Sequence, residues 1–236
     1  MTLVVAGLVV LVGALVQGSV GFGMAIVAAP VLVLLDPSLV PVPLLVLGLA
    51  YALLAVRREP ADVDWRGVGW ALLGRLPGIV VGAAAVVLLT PRAFAALLAC
   101  VVLVAAALSV VRWRPRPTPV ALLLAGVVSG VGGTAASISG PPVALLYQDA
   151  TGAQVRATLA AYFVAGSVLS LAGLAVAGEV TGAELLAGVA LLPFMALGFL
   201  ASGPARRVLD RGWTRPTVVG LAAAGALVLL GRAVLG

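Results

Sequence analysis

Gln17, Gly18, Ser19, Gly21 and Gly23 crowd together in "QGSVGFGMAIVAAP", inside an apolar run that otherwise suits a membrane helix. A second cluster, Ser129, Gly130, Gly133, Thr134, Ser137 and Ser139, sits in "SGVGGTAASISGPP". Glycine and proline in lipid-facing helix leave backbone groups unsatisfied, so such breaks survive only where protein or water covers them. A covered break can hold an anion. Backbone N–H groups and the positive end of a half-helix meet there near the midplane, and hydroxyl or amide side chains add further donors. In the second cluster, Pro141 or Pro142 at a first helical position marks the start of such a half-helix. The candidate substrate-binding residues are therefore Gln17, Ser19, Gly21, Gly23, Gly130, Gly133, Thr134, Ser137 and Ser139. The competing reading is that these small residues only permit close helix packing. Two matched clusters favour the site.

Arg75 joins this candidate set as the only charge well inside an apolar run. An arginine at a helix centre costs about 2.5 to 3.5 kcal/mol on insertion scales, so it pairs, lines a water-filled cavity, or snorkels to a charged face. Facing the site, it would be a fixed positive charge for an anionic substrate. Arg156, in "VRATLAAYF", reads first as a topology arginine, with attraction of anions as its second use.

Other chemistry lacks its residues. The chain has no His, and Asp36, Asp149, Glu179 and Glu184 lie in or beside short connections, so neither a metal site nor a cofactor is expected. The usual intramembrane carboxylate carrier of protons is missing too, which argues against proton coupling and cation transport. Cys100 is the single cysteine and reads as a small packed residue. With no carboxylate pair and no activated nucleophile, enzymatic chemistry has no foothold, and no Walker motif suggests ATP drive.

The elements that must position these residues are membrane helices. Of 236 residues, 63% are hydrophobic and 9% charged, with a mean hydropathy of +1.26. Such a chain is an all-α polytopic membrane protein with little room outside the bilayer. Its fourteen basic residues are all Arg and give a net charge of +6. In this class that excess reports topology, and nucleic acid is not an expected partner. Membrane lipid is, and monomer and homodimer stay open. The N-terminus lacks a positive region and does not read as a cleaved signal peptide.

Apolar runs fall at 3–35, 39–56, 68–89, 93–111, 120–147, 155–177, 184–202 and 214–235. As single helices the first and fifth runs would measure roughly 50 and 42 Å, against a hydrocarbon core of about 30 Å. Both carry a break. A shift of 112 places Gly18 on Gly130, Gly21 on Gly133, Ile26 on Ile138, Pro30 on Pro142, Val31 on Val143 and Leu34 on Leu146, and "LPGIVVG" is echoed by "LPFMALG". Two transmembrane repeats follow, 1–113 and 120–236, joined by a linker at 114–119.

Arginine placement counts the crossings. If each long run crosses once, seven arginines face six and no orientation emerges. If each enters and returns to its starting side, Arg57, Arg58, Arg66, Arg112, Arg114, Arg116, Arg156, Arg206, Arg207, Arg211 and Arg215 share one face, leaving Arg92 and Arg232 opposite. The second arrangement obeys the positive-inside rule. It puts the linker in the cytoplasm and both termini outside, and makes the halves inverted repeats. Each would open with a broken or re-entrant helical hairpin and continue with three transmembrane helices.

The whole pattern resembles the sulfite exporter TauE/SafE family of bacterial inner-membrane proteins, also called the toluene sulfonate uptake permease family. The resemblance rests on "GSVGFGMAIVAAP", "EPADVDWRGVGWALLGRLPGIVVGA", "SGVGGTAASISGPPVALLY" and "VRATLAAYF", and covers nearly the whole chain. It implies a secondary transporter in the bacterial inner membrane, exporting a small anion such as sulfite or an organosulfonate. The alternative is a membrane scaffold or binding module without transport.

Overall fold

The computed structural model describes residues 2–58, 63–110, 115–209 and 231. Among them every regular element is helical: α1 (Thr2–Val20), α2 (Met24–Leu35), α3 (Val42–Arg58), α4 (Trp65–Leu88), α5 (Pro91–Val110), α6 (Pro119–Ala136), α7 (Gly140–Leu146), α8 (Gly152–Val176) and α9 (Gly182–Leu209), with one 3₁₀ turn at Pro37–Leu39. Among the described residues, seven segments are long and apolar enough to cross a membrane. Apart from Gly231, the expected eighth run, 214–235, lies outside the described residues, as do Arg112, Arg114, Arg211, Arg215 and Arg232.

Three acids, Asp36, Asp64 and Glu184, sit where helical segments start, and the contacts give the reason. Asp64 caps α4 by accepting from the Gly67 N–H at 2.9 Å, and Asp36 accepts from the Ser38 N–H at 3.0 Å to open the 3₁₀ turn. At the head of α9, Glu184 accepts from the Thr181 N–H at 2.9 Å while the Glu184 N–H donates back to the Thr181 hydroxyl at 3.2 Å. That reciprocal pair is a capping box. These carboxylates satisfy orphan N–H groups at helix N-termini and favour the positive end of the helix dipole.

Each overlong run is a full-length helix followed by a short one. At about 1.5 Å per residue α1 and α6 approach membrane thickness, whereas α2 reaches roughly 18 Å and α7 roughly 10 Å. The turn between α1 and α2 uses Gly21 at φ 95° and Gly23 at φ 125°, a region where a Cβ is strained. Because α2 opens with Met24 against Gly13, it runs back along α1.

Side-chain contacts fix the remaining directions. Gly7 meets Phe194, Gly198 meets Leu11 and Gly18 meets Ser202, so α1 and α9 are parallel. Along α3, Pro43 and Val46 meet Gly188, and the Tyr51 ring lies edge-on to Phe199 at 5.1 Å, so α3 shares that direction. Similarly α4, α6 and α8 run together, through Gly78 against Gly130, Asp64 against Thr158, and Ile79 against Gly173. Six residues join α3 to α4, so the two sets are antiparallel. Arg57, Arg58, Arg66, Arg116 and Arg156 consequently lie toward one end of the bundle and Arg92 toward the other.

The closest crossing is α4 on α6. A Cβ at Gly74, Gly78, Gly126 or Gly130 would overlap a backbone carbonyl of the partner helix, so the backbones pack in direct contact with small residues spaced four apart. One expectation is corrected: Cys100 is not a packed core residue but is exposed on α5. It borders an apolar groove formed with α6 and α7.

Candidate functional site

The two breaks, more than a hundred residues apart in sequence, line one cavity. Gln17, Gly23, Met24, Ala25 and Ile26 come from the first break, Ser137, Ile138, Ser139, Gly140 and Pro141 from the second, and Phe22, Phe163 and Ser167 close its walls. The space open to water-sized groups is about 40 Å³, room for a few waters or a compact ion.

Local rules explain how the chain reaches this arrangement. The buried Gln17 side chain accepts from the Met24 N–H at 3.1 Å, fixing the start of α2 against the end of α1. Ala25 and Ile26, in the first turn of α2, have no carbonyl of their own helix to donate to. On the other side Ser137 ends α6 in the left-handed conformation at φ 60°, and its hydroxyl donates to the Pro41 carbonyl at 2.9 Å. Pro141 sits in the first turn of α7. The Phe22 side chain packs where a Gly140 Cβ would stand, so the breaks touch directly.

Behind the second break lies a buried cation. Arg75 is 1% exposed; its Nη1 donates to the Tyr162 hydroxyl and its Nη2 to the Ser170 hydroxyl, each at 3.0 Å. Thr134 and Ser170 share a hydrogen bond of 2.9 Å. Its guanidinium lies against Gly133 of α6 and Gly166 of α8, where Cβ atoms would collide with it. Among the described residues its hydrogen-bond partners are hydroxyls, and Nε has none. From Tyr162 the bonds continue: its hydroxyl donates to Ser129 at 2.8 Å, and the Ser129 hydroxyl donates to the Ser139 carbonyl. All three steps point one way, so each bond polarises the next and the positive field reaches the second break.

The candidate residues separate accordingly. Gln17, Gly23, Ser137 and Ser139 line the cavity. Gly133, Thr134 and Arg75 form the cation's nest beside it. Arg75 neither snorkels nor lines the cavity; it stands behind the wall. Gly130 makes the close approach to α4, Ser19 donates to the Leu15 carbonyl of its own helix at 3.2 Å, and Gly21 packs on Arg156.

Tyr162, Gly166 and Ser170 escaped the sequence reading. Their signal is a stripe of Thr158, Tyr162, Gly166 and Ser170 at four-residue spacing on a long apolar helix, which places them on one face. Thr158 accepts from the Asp64 N–H at 3.1 Å, and Asp64 also accepts from the Tyr147 hydroxyl at 2.8 Å. This hydroxyl ties the end of α7 to α4.

Compared with known proteins, the chain matches the family described as Sulfite exporter TauE/SafE over residues 5–229. No curated protein and no solved structure matches it.

Proposed function

Because the chain belongs to the sulfite exporter TauE/SafE family, a family of membrane transporters and not of enzymes, we propose that it exports a small sulfur oxyanion through the cavity between its two helix breaks. The observation that carries this reading is the buried Arg75, linked through Tyr162 and Ser129 to the second break. A cation without a carboxylate partner is costly in a low-dielectric interior. An anion in the adjacent cavity offsets that cost, and a cation there would add to it. The small volume favours sulfite over a bulky aryl sulfonate. The backbone N–H groups of Ala25 and Ile26 of α2 and the Ser139 hydroxyl supply neutral donors, which bind an oxyanion without holding it too tightly to release.

The bundle supports two inverted repeats, 1–113 and 120–236. On this reading α1 and α2 correspond to α6 and α7, α3 to α8, and α4 to α9, with the directions reversed. The close α4–α6 packing then has its counterpart in α9 against α1. The arginine-rich end faces the cytoplasm of a bacterial inner membrane, so the linker 114–119 is inside and both termini outside. A reporter that fluoresces only in the cytoplasm should be bright when inserted at Arg116 and dark at the C-terminus; a bright C-terminal fusion overturns the orientation.

Outward movement of an anion is driven by an inside-negative potential, at about 2.3 kcal/mol per charge per 100 mV. The deciding measurement is radiolabelled sulfite flux in proteoliposomes under an imposed potential. Sulfite should leave the negative side faster than it leaves protein-free vesicles, with an aryl sulfonate moving more slowly. Flux no greater than in protein-free vesicles would leave the scaffold reading.

A further inference from the structure

We infer that Ser167 is a further substrate contact, the donor that α8 supplies to the oxyanion in the break cavity. The inference deepens the reading above and rests on its site, an anion held between the two breaks. Ser167 lines that cavity and is 7% exposed, yet its hydroxyl has no hydrogen-bond partner among the described residues. Every other buried serine and threonine among them is engaged: Ser129 with the Ser139 carbonyl, Thr134 and Ser170 with each other, Thr158 with Asp64, and Ser202 with the Phe199 carbonyl. A hydroxyl withdrawn from water without a partner costs free energy. An oxyanion in the cavity supplies the missing acceptor.

Helix periodicity explains how one element serves both the cation and the cavity. Tyr162, Gly166 and Ser170 meet Arg75, while Phe163 and Ser167, each one position further along α8, line the cavity one turn apart. Beside Ser167 stands Gly48 of α3, also in the cavity wall, where a Cβ would have Ser167 Oγ, at 3.9 Å, as its single neighbour within 4 Å among the described residues. A second uncommitted donor comes from α1. The Gln17 oxygen accepts from the Met24 N–H, which fixes the orientation of the amide. Its NH2 group therefore carries two N–H donors with no partner among the described residues, on a side chain that is likewise 7% exposed. With the Ser139 hydroxyl at the second break, donors reach one small space from three elements. That spread matches an anion with several oxygens, each able to accept from a different wall.

Binding of radiolabelled sulfite to the detergent-purified protein, in oxygen-free buffer at constant ionic strength, tests the contact without requiring transport. Ser167→Ala should weaken sulfite binding about tenfold, the loss of one hydrogen bond to a charged group. Without sulfite, the heat midpoint of this variant should equal or exceed that of wild type, because the hydroxyl removed has no protein partner to lose. A serine with a merely structural role would lower it. Gln17→Glu keeps the oxygen that accepts from Met24 and replaces both amide donors with an acceptor, so sulfite binding should fall by about a hundredfold or more. Should Gln17→Glu fail to fold, Ser167→Ala carries the test by itself. Wild-type sulfite affinity in Ser167→Ala, a lowered midpoint or failure to fold in that variant, or no saturable sulfite binding by wild type overturns the contact. Sulfite binding that depends on Ser167 but is accompanied by no flux in proteoliposomes would sink the transport reading alone and leave the contact standing. Sulfite flux in wild type with unchanged binding in Ser167→Ala would do the opposite.

Discussion

Arg75→Leu should lower sulfite flux per folded molecule by roughly two orders of magnitude, equivalent to about 3 kcal/mol, without lowering the heat midpoint of the purified protein. The substitution removes the head of the donor chain that runs through Tyr162 and Ser129 to the Ser139 carbonyl. It also removes the positive field behind the cavity. Stability should respond in the opposite sense, because a buried charge whose partners among the described residues are hydroxyls is costly to the fold and leucine relieves that cost. Arg75→Lys should retain part of the flux, since an ammonium keeps the charge but lacks the planar fork that reaches Tyr162 and Ser170 together. Wild-type flux per folded molecule in the leucine variant would remove Arg75 from the site, whatever happens to expression.

Gly78→Leu should do the reverse, destroying the fold before function can be measured. A Cβ at Gly78 already overlaps the Val127 carbonyl and the Gly130 Cα, so a leucine forces α4 and α6 apart along the closest crossing in the bundle. The loss should exceed about 4 kcal/mol, at the extreme of single substitutions, and should show as a missing monodisperse peak after detergent extraction. Gly69 lies on the same helix with nothing within 4 Å of its would-be Cβ. Gly69→Ala should therefore extract normally, with a helix gain of up to about 1 kcal/mol. Equal behaviour of the two variants would mean that the α4–α6 contact is not what assembles the protein.

The breaks were legible in the sequence because the runs that carry them violate a strong rule: apolar runs of 33 and 28 residues (3–35 and 120–147) have no simple place in a bilayer. The return of each run was legible from arginines that contribute nothing to the core. Hydropathy did not reveal that the return helices are so short, since α2 and α7 are as apolar as any full span. Nor did it reveal where Arg75 points. A helix position seven residues into a run is compatible with snorkelling or burial, and only the neighbouring glycines decide. Gly133 and Gly166 clear the space that the guanidinium fills, but they come from different helices and no spacing rule joins them to residue 75. Tyr162 and Ser170 stayed hidden for a related reason: isolated hydroxyls on apolar helices are common, and they gain meaning once a cation is placed beside them.

The parallel packing of α1 on α9 has a consequence for how the protein is made. Gly7 and Gly18 of the first helix find their partners at Phe194 and Ser202, nearly two hundred residues later in translation. At about 5 to 20 residues per second, α1 waits in the bilayer for roughly ten to forty seconds before its partner is synthesised. During that interval its small-residue face meets only lipid, other early helices or another nascent chain. A ribosome that stops before α9 leaves this face permanently uncovered, so truncated chains should be captured by membrane proteases far more readily than full-length chains carrying a single defect at the cavity.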